Sequence, residues 1–587
     1  MHSTIPLIAA LLASAGAFAQ PVEQPEAATT RTAKTVGLTQ PAQRFAVTAA
    51  NPLAAQAGME ILRAGGSALD TAVAVQAVLG LVEPQSSGIA GGAFLLHWDG
   101  RQVQAYDGRE TAPAAATPEM FLKPDGKPLA MRDAIMSGLS TGAPGVLAML
   151  AEGHKAHGQL PWARLFEPAI RLAEQGFAIS PRLFELASAE TALRNDPQAG
   201  PYLFGADGAP KPVGTVLKNP AYAAVLRGIA KQGAAGFYKG AVAEDIVRRV
   251  KGHARPGLLT TADLAGYKPV VRPPLCNEWR SYRVCGFGPP TSGHLTLMQI
   301  LGLLDTQPRA VAARGISADW MHAYAESAKL AFADRAQFIG DPAFVAAPGG
   351  DWLNLLAPAY LKDRGALIGE RAMATATAGE PGIRQALAPQ AEQAEHGTSQ
   401  VSVVDAQGRA VSMTTSIEAA FGNRVMSDGG TGLPGGFMLN NQLTDFSLNP
   451  VGADGKPVAN RVEAGKRPRS SMAPTLVFGR AGQLVMVAGS PGGPVIIHYV
   501  AKVITGALAW GLPVQQAVDL PNFGHFNSGS LIVERGALTA GQLADLRARG
   551  HAVVETDLTS GLQVLLRTKA GWVGGADPRR EGVVLGE

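Results

Sequence analysis

His396-Gly397-Thr398-Ser399-Gln400-Val401-Ser402-Val403-Val404-Asp405 divides the chain into two kinds of sequence. Before it, residues 370–395 are rich in Ala, Thr, Gln and Glu and poor in large apolar side chains, which reads as an exposed, mobile stretch. From Thr398 onward Val401 and Val403 alternate with Ser402 and Val404, though not cleanly. Asp405-Ala406-Gln407-Gly408 reads as a turn, and Arg409 to Ser416 returns as a second strand. If the bond between Gly397 and Thr398 breaks, Thr398 becomes an amino terminus at the end of a strand. A threonine hydroxyl is a weak nucleophile, but the α-amine of the same residue can then act as its base. Such an amine titrates at about 8, close to neutral working conditions. On these residues alone, an ordinary Gly-Thr pair leading into a strand fits better.

Upstream, Leu53, Ala57, Ile61 and Leu62 fall at helical spacing over 52–64, and Gly65-Gly66 closes that helix. Ser67 reads as the N-cap of a second helix, Ala68 to Leu81, apolar on several faces and therefore buried. After Glu83-Pro84 comes a glycine-rich turn, then a strand from Ala93 to Trp98 and a paired strand from Val103 to Tyr106. Residues 140–390 read as helix-rich, with the clearest helix at Ser317 to Phe338. Downstream, Thr475 to Phe478 and Leu484 to Ala488 form a second hairpin, and Ser490-Pro491-Gly492-Gly493 leads into an apolar helix over Pro494 to Trp510. Mixed helices and tightly turned strands favour an α+β fold with antiparallel sheets.

Composition narrows the function. The 587 residues are 46% hydrophobic and 17% charged with a net charge of +4, and no basic run offers a nucleic-acid footprint. Ile5 to Ala15 followed by Ala17-Phe18-Ala19 reads as a secretory signal over 1–19, and 20–44 as a linker. A periplasmic or secreted protein follows, with no stable membrane insertion, since no later segment is apolar for a membrane's width. Export permits a disulfide between Cys276 and Cys285, the only cysteines, but the sequence leaves two free thiols equally open. His154 and His157 lie three apart without further ligands, so no metal is expected.

The segments HGTSQVSVVD, TTSIEAAFG, LNNQLTDFS, KRPRSSMAPT and GSPGGP follow one another between His396 and Pro494. With AGGSALDTAVA, VEPQSSGIAGGAF and YDGRETAP upstream, they resemble the γ-glutamyltransferase family of N-terminal nucleophile hydrolases, from about residue 45 to the end. The resemblance implies a four-layer αββα sandwich whose precursor cuts itself before the nucleophilic threonine. That gives a large subunit, 45–397, and a small catalytic subunit, 398–587, which stay together. It implies Thr398 as nucleophile, Ser416 as its supporting hydroxyl, and Gly492 and Gly493 as the oxyanion hole. Arg109, Ser470 and Ser471 would grip the substrate α-carboxylate. Glu418, Gln442 and Asp445 would hold its α-ammonium, with Glu418 standing where some members have asparagine. No cofactor is implied. The partners are a glutathione-like γ-glutamyl donor and an amine acceptor.

Residues 447–465 stand where some members carry a lid over the donor; a lid and a plain exposed loop are both open. Two other functions fit the same segments. An acylase of this fold acting on glutaryl groups would not need the ammonium site. An inactive periplasmic binding protein would keep the fold without the cut.

Overall fold

Two antiparallel sheets form the centre of the computed structural model, which describes residues 38, 40–383, 385–390, 393 and 397–587. The expected signal at 1–19 lies outside the described residues. So does most of the expected linker, but its last residues do not behave as one. Ala42 pairs with Trp572, and the Arg44 amide donates to the Glu587 carbonyl at 2.6 Å.

The first sheet contains β1 (Ala46–Ala49), β2 (Gly92–Trp98), β3 (Val103–Gly108) and β4 (Val270–Arg272). The second begins with β5 (Leu275–Trp279) and β6 (Tyr282–Gly286). After Thr398 come β7 (Ser399–Val404) and β8 (Ala410–Ser416) of the first sheet. β9 (Thr475–Phe478), β10 (Leu484–Ala488), β11 (Gln563–Thr568) and β12 (Gly571–Ala576) complete the second, and β13 (Val583–Gly586) returns to the first. The orders are β13-β1-β7-β8-β2-β3-β4 and β12-β11-β10-β9-β6-β5. Both sheets therefore interleave strands from before and after Thr398. β7 lies between β1 and β8, and β8 pairs with β2 over Ala410–Ser416 and Trp98–Gly92.

Three helices fall where the sequence predicts them, α1, α2 and α4, and α3 lies within the stretch read as helix-rich. α1 (Pro52–Arg63) starts behind Asn51, whose side chain accepts from the Leu53 amide. α2 (Ala68–Val82) is held by a capping box between Ser67 and Asp70, and all of its residues are buried. α3 (Gly293–Asp305) and α4 (Ala318–Phe338) follow, the latter capped by Ser317. The apolar helix expected over Pro494 to Trp510 is broken into a short 3-10 turn (Gly493–Val495), α5 (Ile496–Ile504) and a π segment (Thr505–Ala509). Gly506 there lies against Ala517 and Leu520, so close that a Cβ would overlap them.

α2 packs on β7 and β8, the second sheet faces the first, and α3 lies on β5 and β6 with α4 and α5 against it. The result is the four-layer αββα sandwich. Side-chain alternation in β7 explains its sequence. Val401 and Val403 enter the core shared with α1 and α2. Gln400 and Ser402 point between the sheets, where Gln400 reaches Ser412 Oγ at 3.1 Å and Ser402 Oγ reaches the Gln563 carbonyl at 2.8 Å. Satisfied hydrogen bonds make a polar seam tolerable in that dry space.

Residues 370–383 are largely exposed, as expected, but their backbone is fastened along α4. The Met373 amide donates to Glu326 at 2.8 Å and the Gly379 amide to Asp334 at 2.9 Å. Arg364 reaches the Thr377 carbonyl at 2.8 Å. The segment is a strap, because buried carboxylates on the helix supply acceptors that its composition does not reveal.

Cys276 and Cys285 face each other across β5 and β6 and are joined in a disulfide. Closing so short a loop stabilises by about 2–3 kcal/mol in the chain-entropy description. The Cys276→Ser/Cys285→Ser variant is therefore expected to unfold at a lower temperature than the wild type. Reductant should bring the wild type down to the same value and leave the variant unmoved.

Candidate active site

The amino end of β7 and the carboxyl end of β8 meet at Thr398. Sheet register carries Ser416 to this end of the strand pair. Thr398 is buried, its Oγ1 lies against the Gly397 carbonyl oxygen, and Ser416 Oγ is 3.3 Å away. Ser416 Oγ also reaches the Gly397 carbonyl at 3.2 Å and accepts from the Glu418 amide at 2.8 Å. From the other side Arg580, fully buried, donates to the Thr398 carbonyl at 3.1 Å. Gly397 has φ of 70°, and a Cβ there would stand 2.2 Å from the Glu418 carbonyl oxygen. Only glycine fits both the conformation and the approach. The peptide bond before Thr398 is thus held with its carbonyl beside two hydroxyls.

Arg109 follows the end of β3 and is wholly buried. Its Nε donates to the Pro468 carbonyl at 3.2 Å, and Nη2 donates to the Arg469 carbonyl at 3.1 Å and pairs with Asp445 Oδ2. Asp445 ends a 3-10 turn, Gln442–Asp445. Gln442 opens that turn, and its Oε1 is buried without a hydrogen-bond partner among the described residues. Ser471 Oγ accepts from Arg335 Nη2 at 2.7 Å, and Arg335 Nε also bonds Ser292 Oγ at 2.9 Å. The Ser470 hydroxyl accepts from the Met472 amide at 3.1 Å.

One pocket, of about 230 Å³ empty volume, is lined by Arg109, Gly397, Thr398, Ser416, Glu418, Gln442, Asp445, Ser470, Ser471 and Gly493. Every candidate residue read from the sequence is in that lining except Gly492, which precedes Gly493 by one peptide. Gly492 and Gly493 both have positive φ, 133° and 58°, and lead into the turn before α5. The sequence reading missed Met472 and Ile496, the two apolar members of the lining. It also missed Arg335 and Arg580, which act from behind it; neither stands in a quoted segment. No residue of 447–465 lines the pocket. That stretch folds back on itself through bridges between Ser447 and Arg461 and between Val451 and Pro457.

The chemistry available follows from these groups. An alcohol stands beside an amide carbonyl, glycine amides lie close by, and an Arg–Asp pair offers both charges at one end of a small cavity. A ligand head carrying a carboxylate and an ammonium is the electrostatic complement of that pair.

Among the described residues no histidine lines that pocket. His154 Nε2 contacts the Leu160 carbonyl at 2.9 Å, and His157 pairs with Gln104. His322 and Glu326, one turn apart on α4, meet His551 with their ligand atoms within 4.8 Å. His322 Nε2 is 2.8 Å from the Gly369 carbonyl, which leaves Nδ1 to accept from His551 Nε2 at 2.8 Å. Lys329 Nζ, 2.8 Å from Glu326 Oε1, already supplies the cation there. A divalent ion would face that ammonium in a desolvated site, so the cluster is explained by hydrogen bonds.

The gamma-glutamyltranspeptidase family model matches residues 54–587. The glutathione hydrolase proenzyme of Escherichia coli (strain K12) is 34% identical over 550 residues, covering 92% of this chain and 91% of its own. Among solved structures, cephalosporin acylase from Bacillus halodurans superposes with a TM-score of 0.79 at 27% identity, over 97% of this chain and 99% of that one. Helicobacter pylori gamma-glutamyltranspeptidase gives 0.51 at 32% identity, over 56% of this chain and 92% of that one.

Beside Arg109, Glu110 is fully buried, and burial pushes its carboxyl up to about 8, further than the Arg109 guanidinium lowers it. At neutral pH it is an uncharged acid 3.8 Å from Arg109 Nη1, which leaves Asp445 as the carboxylate paired with that arginine. A carboxyl raised on folding contributes stability that is fully present below its ordinary value of 4.5 and lost as pH rises through about 8. Thermal unfolding at pH 6 and pH 9 is expected to show a steeper fall for the wild type than for Glu110→Gln.

Proposed function

The chain belongs to the gamma-glutamyltranspeptidase family, and from that premise we propose that it cuts itself between Gly397 and Thr398 and then transfers γ-glutamyl groups through Thr398. The observation that carries this reading is the Thr398 hydroxyl lying against the Gly397 carbonyl, with Ser416 Oγ at 3.3 Å. In the cut, Thr398 Oγ adds to the Gly397 carbonyl carbon. The C–N bond breaks as the ester forms, and the hydroxyl proton ends on the released nitrogen. Water then hydrolyses the ester, leaving a Gly397 carboxylate and a Thr398 with free hydroxyl and α-amine.

In turnover the α-amine takes the Oγ proton as Oγ attacks the γ-carbonyl of a glutathione-like donor. The amides of Gly492 and Gly493 face the developing oxyanion. The departing amine takes the proton, leaving a γ-glutamyl ester on Thr398. Water converts it to glutamate, or an amino acid or peptide amine converts it to a new γ-glutamyl amide. Arg109, Ser470 and Ser471 hold the α-carboxylate of the donor, and Asp445, Gln442 and Glu418 hold its α-ammonium. The large subunit, 45–397, and the small subunit, 398–587, stay joined because their strands alternate in both sheets. The leader-like residues 1–19 support export to the periplasm or beyond.

The whole-chain likeness to a cephalosporin acylase favours a second reading, in which the acyl group has no ammonium. Against it stand three carbonyl or carboxylate side chains in the pocket, Glu418, Gln442 and Asp445, to which a glutaryl group brings no cation. Leaving such groups unmatched disfavours the wrong substrate by about 10²-fold or more.

Intact-mass analysis tests the first step: the wild type is expected as two fragments, the smaller beginning at Thr398, and Thr398→Ala as one uncut, inactive chain. One uncut chain in both would favour the binding-protein reading. A γ-glutamyl anilide is expected to exceed a glutaryl anilide in kcat/KM by about 10²-fold. Asp445→Asn should lower the former and narrow the ratio; a wild-type preference for glutaryl would hand the function to the acylase reading.

A further inference from the structure

Glu418 is held in a manner its neighbours in the pocket are not. It is buried and has φ of 76°, a left-handed conformation uncommon for a residue with a side chain. Its amide bonds Ser416 Oγ and its carbonyl borders Gly397, so its backbone belongs to the cleavage site. Its carboxylate is oriented from elsewhere, by Asn441.

The Asn441 amide is buried and its hydrogen bonds account for both faces of the group. Oδ1 accepts from the Ala419 amide at 2.9 Å, which fixes which end is oxygen. Of the two Nδ2 hydrogens, one goes to Glu418 Oε2 and the other to Thr444 Oγ1 at 3.0 Å. The Thr444 hydroxyl in turn lies 2.8 Å from the Asn441 carbonyl and 3.4 Å from Glu418 Oε2. The Asn441 backbone is tied to the Ile417 carbonyl at 3.2 Å. Neither Asn441 nor Thr444 lines the pocket, whereas Glu418 does.

We propose that Asn441, braced by Thr444, is a positioning residue that sets discrimination between donors with and without an α-ammonium, by fixing the rotamer of Glu418. The proposal rests on the γ-glutamyl reading above. A carboxylate at the edge of a pocket has several rotamers, and only one presents an oxygen to the ligand. The Asn441 Nδ2 donor on Oε2, itself held by Thr444, selects one rotamer without neutralising the charge, so the ordering is in place before the ligand arrives. An ammonium then meets an oriented carboxylate, while a glutaryl group, lacking the charge, gains nothing from the arrangement.

The experiment is a double-mutant cycle on discrimination. kcat and KM are measured for a γ-glutamyl anilide and a glutaryl anilide with the wild type, Asn441→Ala, Glu418→Gln and the double variant, each first shown by mass to have matured into two chains. Asn441→Ala is expected to raise KM for the γ-glutamyl substrate about 10-fold with a smaller change in kcat, and to move the glutaryl substrate less than about threefold. In the Glu418→Gln background the same substitution should leave the glutamyl-to-glutaryl ratio unchanged. Equal losses on both substrates, or independent losses that multiply in the double variant, would overturn the proposal while leaving the γ-glutamyl reading standing. A wild type that prefers the glutaryl anilide would overturn both. If Asn441→Ala does not mature, Thr444→Val, which removes only the brace, is expected to give the same pattern at smaller size.

Discussion

The register of β7 between β1 and β8 is the constraint on which the site depends. Antiparallel pairing on both edges fixes where β7 begins, and it begins one residue after Thr398. A one-residue slip would turn Val401 and Val403 from the helical core into the polar seam between the sheets, and Gln400 and Ser402 the other way. The same register brings Ser416 back to the Thr398 end. The position of the hydroxyl is therefore set by many backbone hydrogen bonds and two buried cores rather than by a loop. Because the strands flanking β7 and β8 come from before the proposed cut, breaking one peptide bond removes none of the pairing that holds Thr398 in place.

The second constraint is charge. Arg109, with no contact to solvent, needs an anionic partner, and Asp445 supplies it. Glu110, adjacent in sequence, does not, because burial keeps its carboxyl protonated in the neutral range. A donor with a zwitterionic head adds one charge of each sign to this pair and leaves the pocket's balance unchanged. A donor with a lone carboxylate adds only the negative one. In the proposed mechanism that difference is the physical basis of substrate choice, since the walls of so small a cavity leave little water to compensate a mismatch.

Much of this was legible in the sequence. Ser67 marked the start of α2, Ser317 the start of α4, and the valines at 401 and 403 the face of β7. The ordered segments around Thr398 pointed to residues that the fold brings from three distant stretches into one pocket. What was not legible has a common cause. Arg335 and Arg580 act on Ser471 and Thr398 from behind, and Asn441 acts on Glu418; each role depends on a contact across the fold that no local pattern encodes. The strap at 370–383 has the composition of a loose segment, and its order comes from buried acids on α4. The Cys276–Cys285 pairing needed the hairpin register, which spacing alone left open.

Fold similarity does not choose between an acylase and a γ-glutamyl enzyme, because both chemistries require only the hydroxyl, its base and the oxyanion amides, all tied to the sandwich. The distinguishing groups sit on the 3-10 turn at Gln442–Asp445 and on the positive-φ residue Glu418, outside the regular elements that dominate a superposition. A TM-score of 0.79 to a cephalosporin acylase is thus compatible with the proposed ammonium site. Glu418 and Asp445 place two carboxylates beside Thr398 in a cavity where one arginine is already paired. In the proposed mechanism the ammonium of the donor complements these two carboxylates, and a glutaryl group does not.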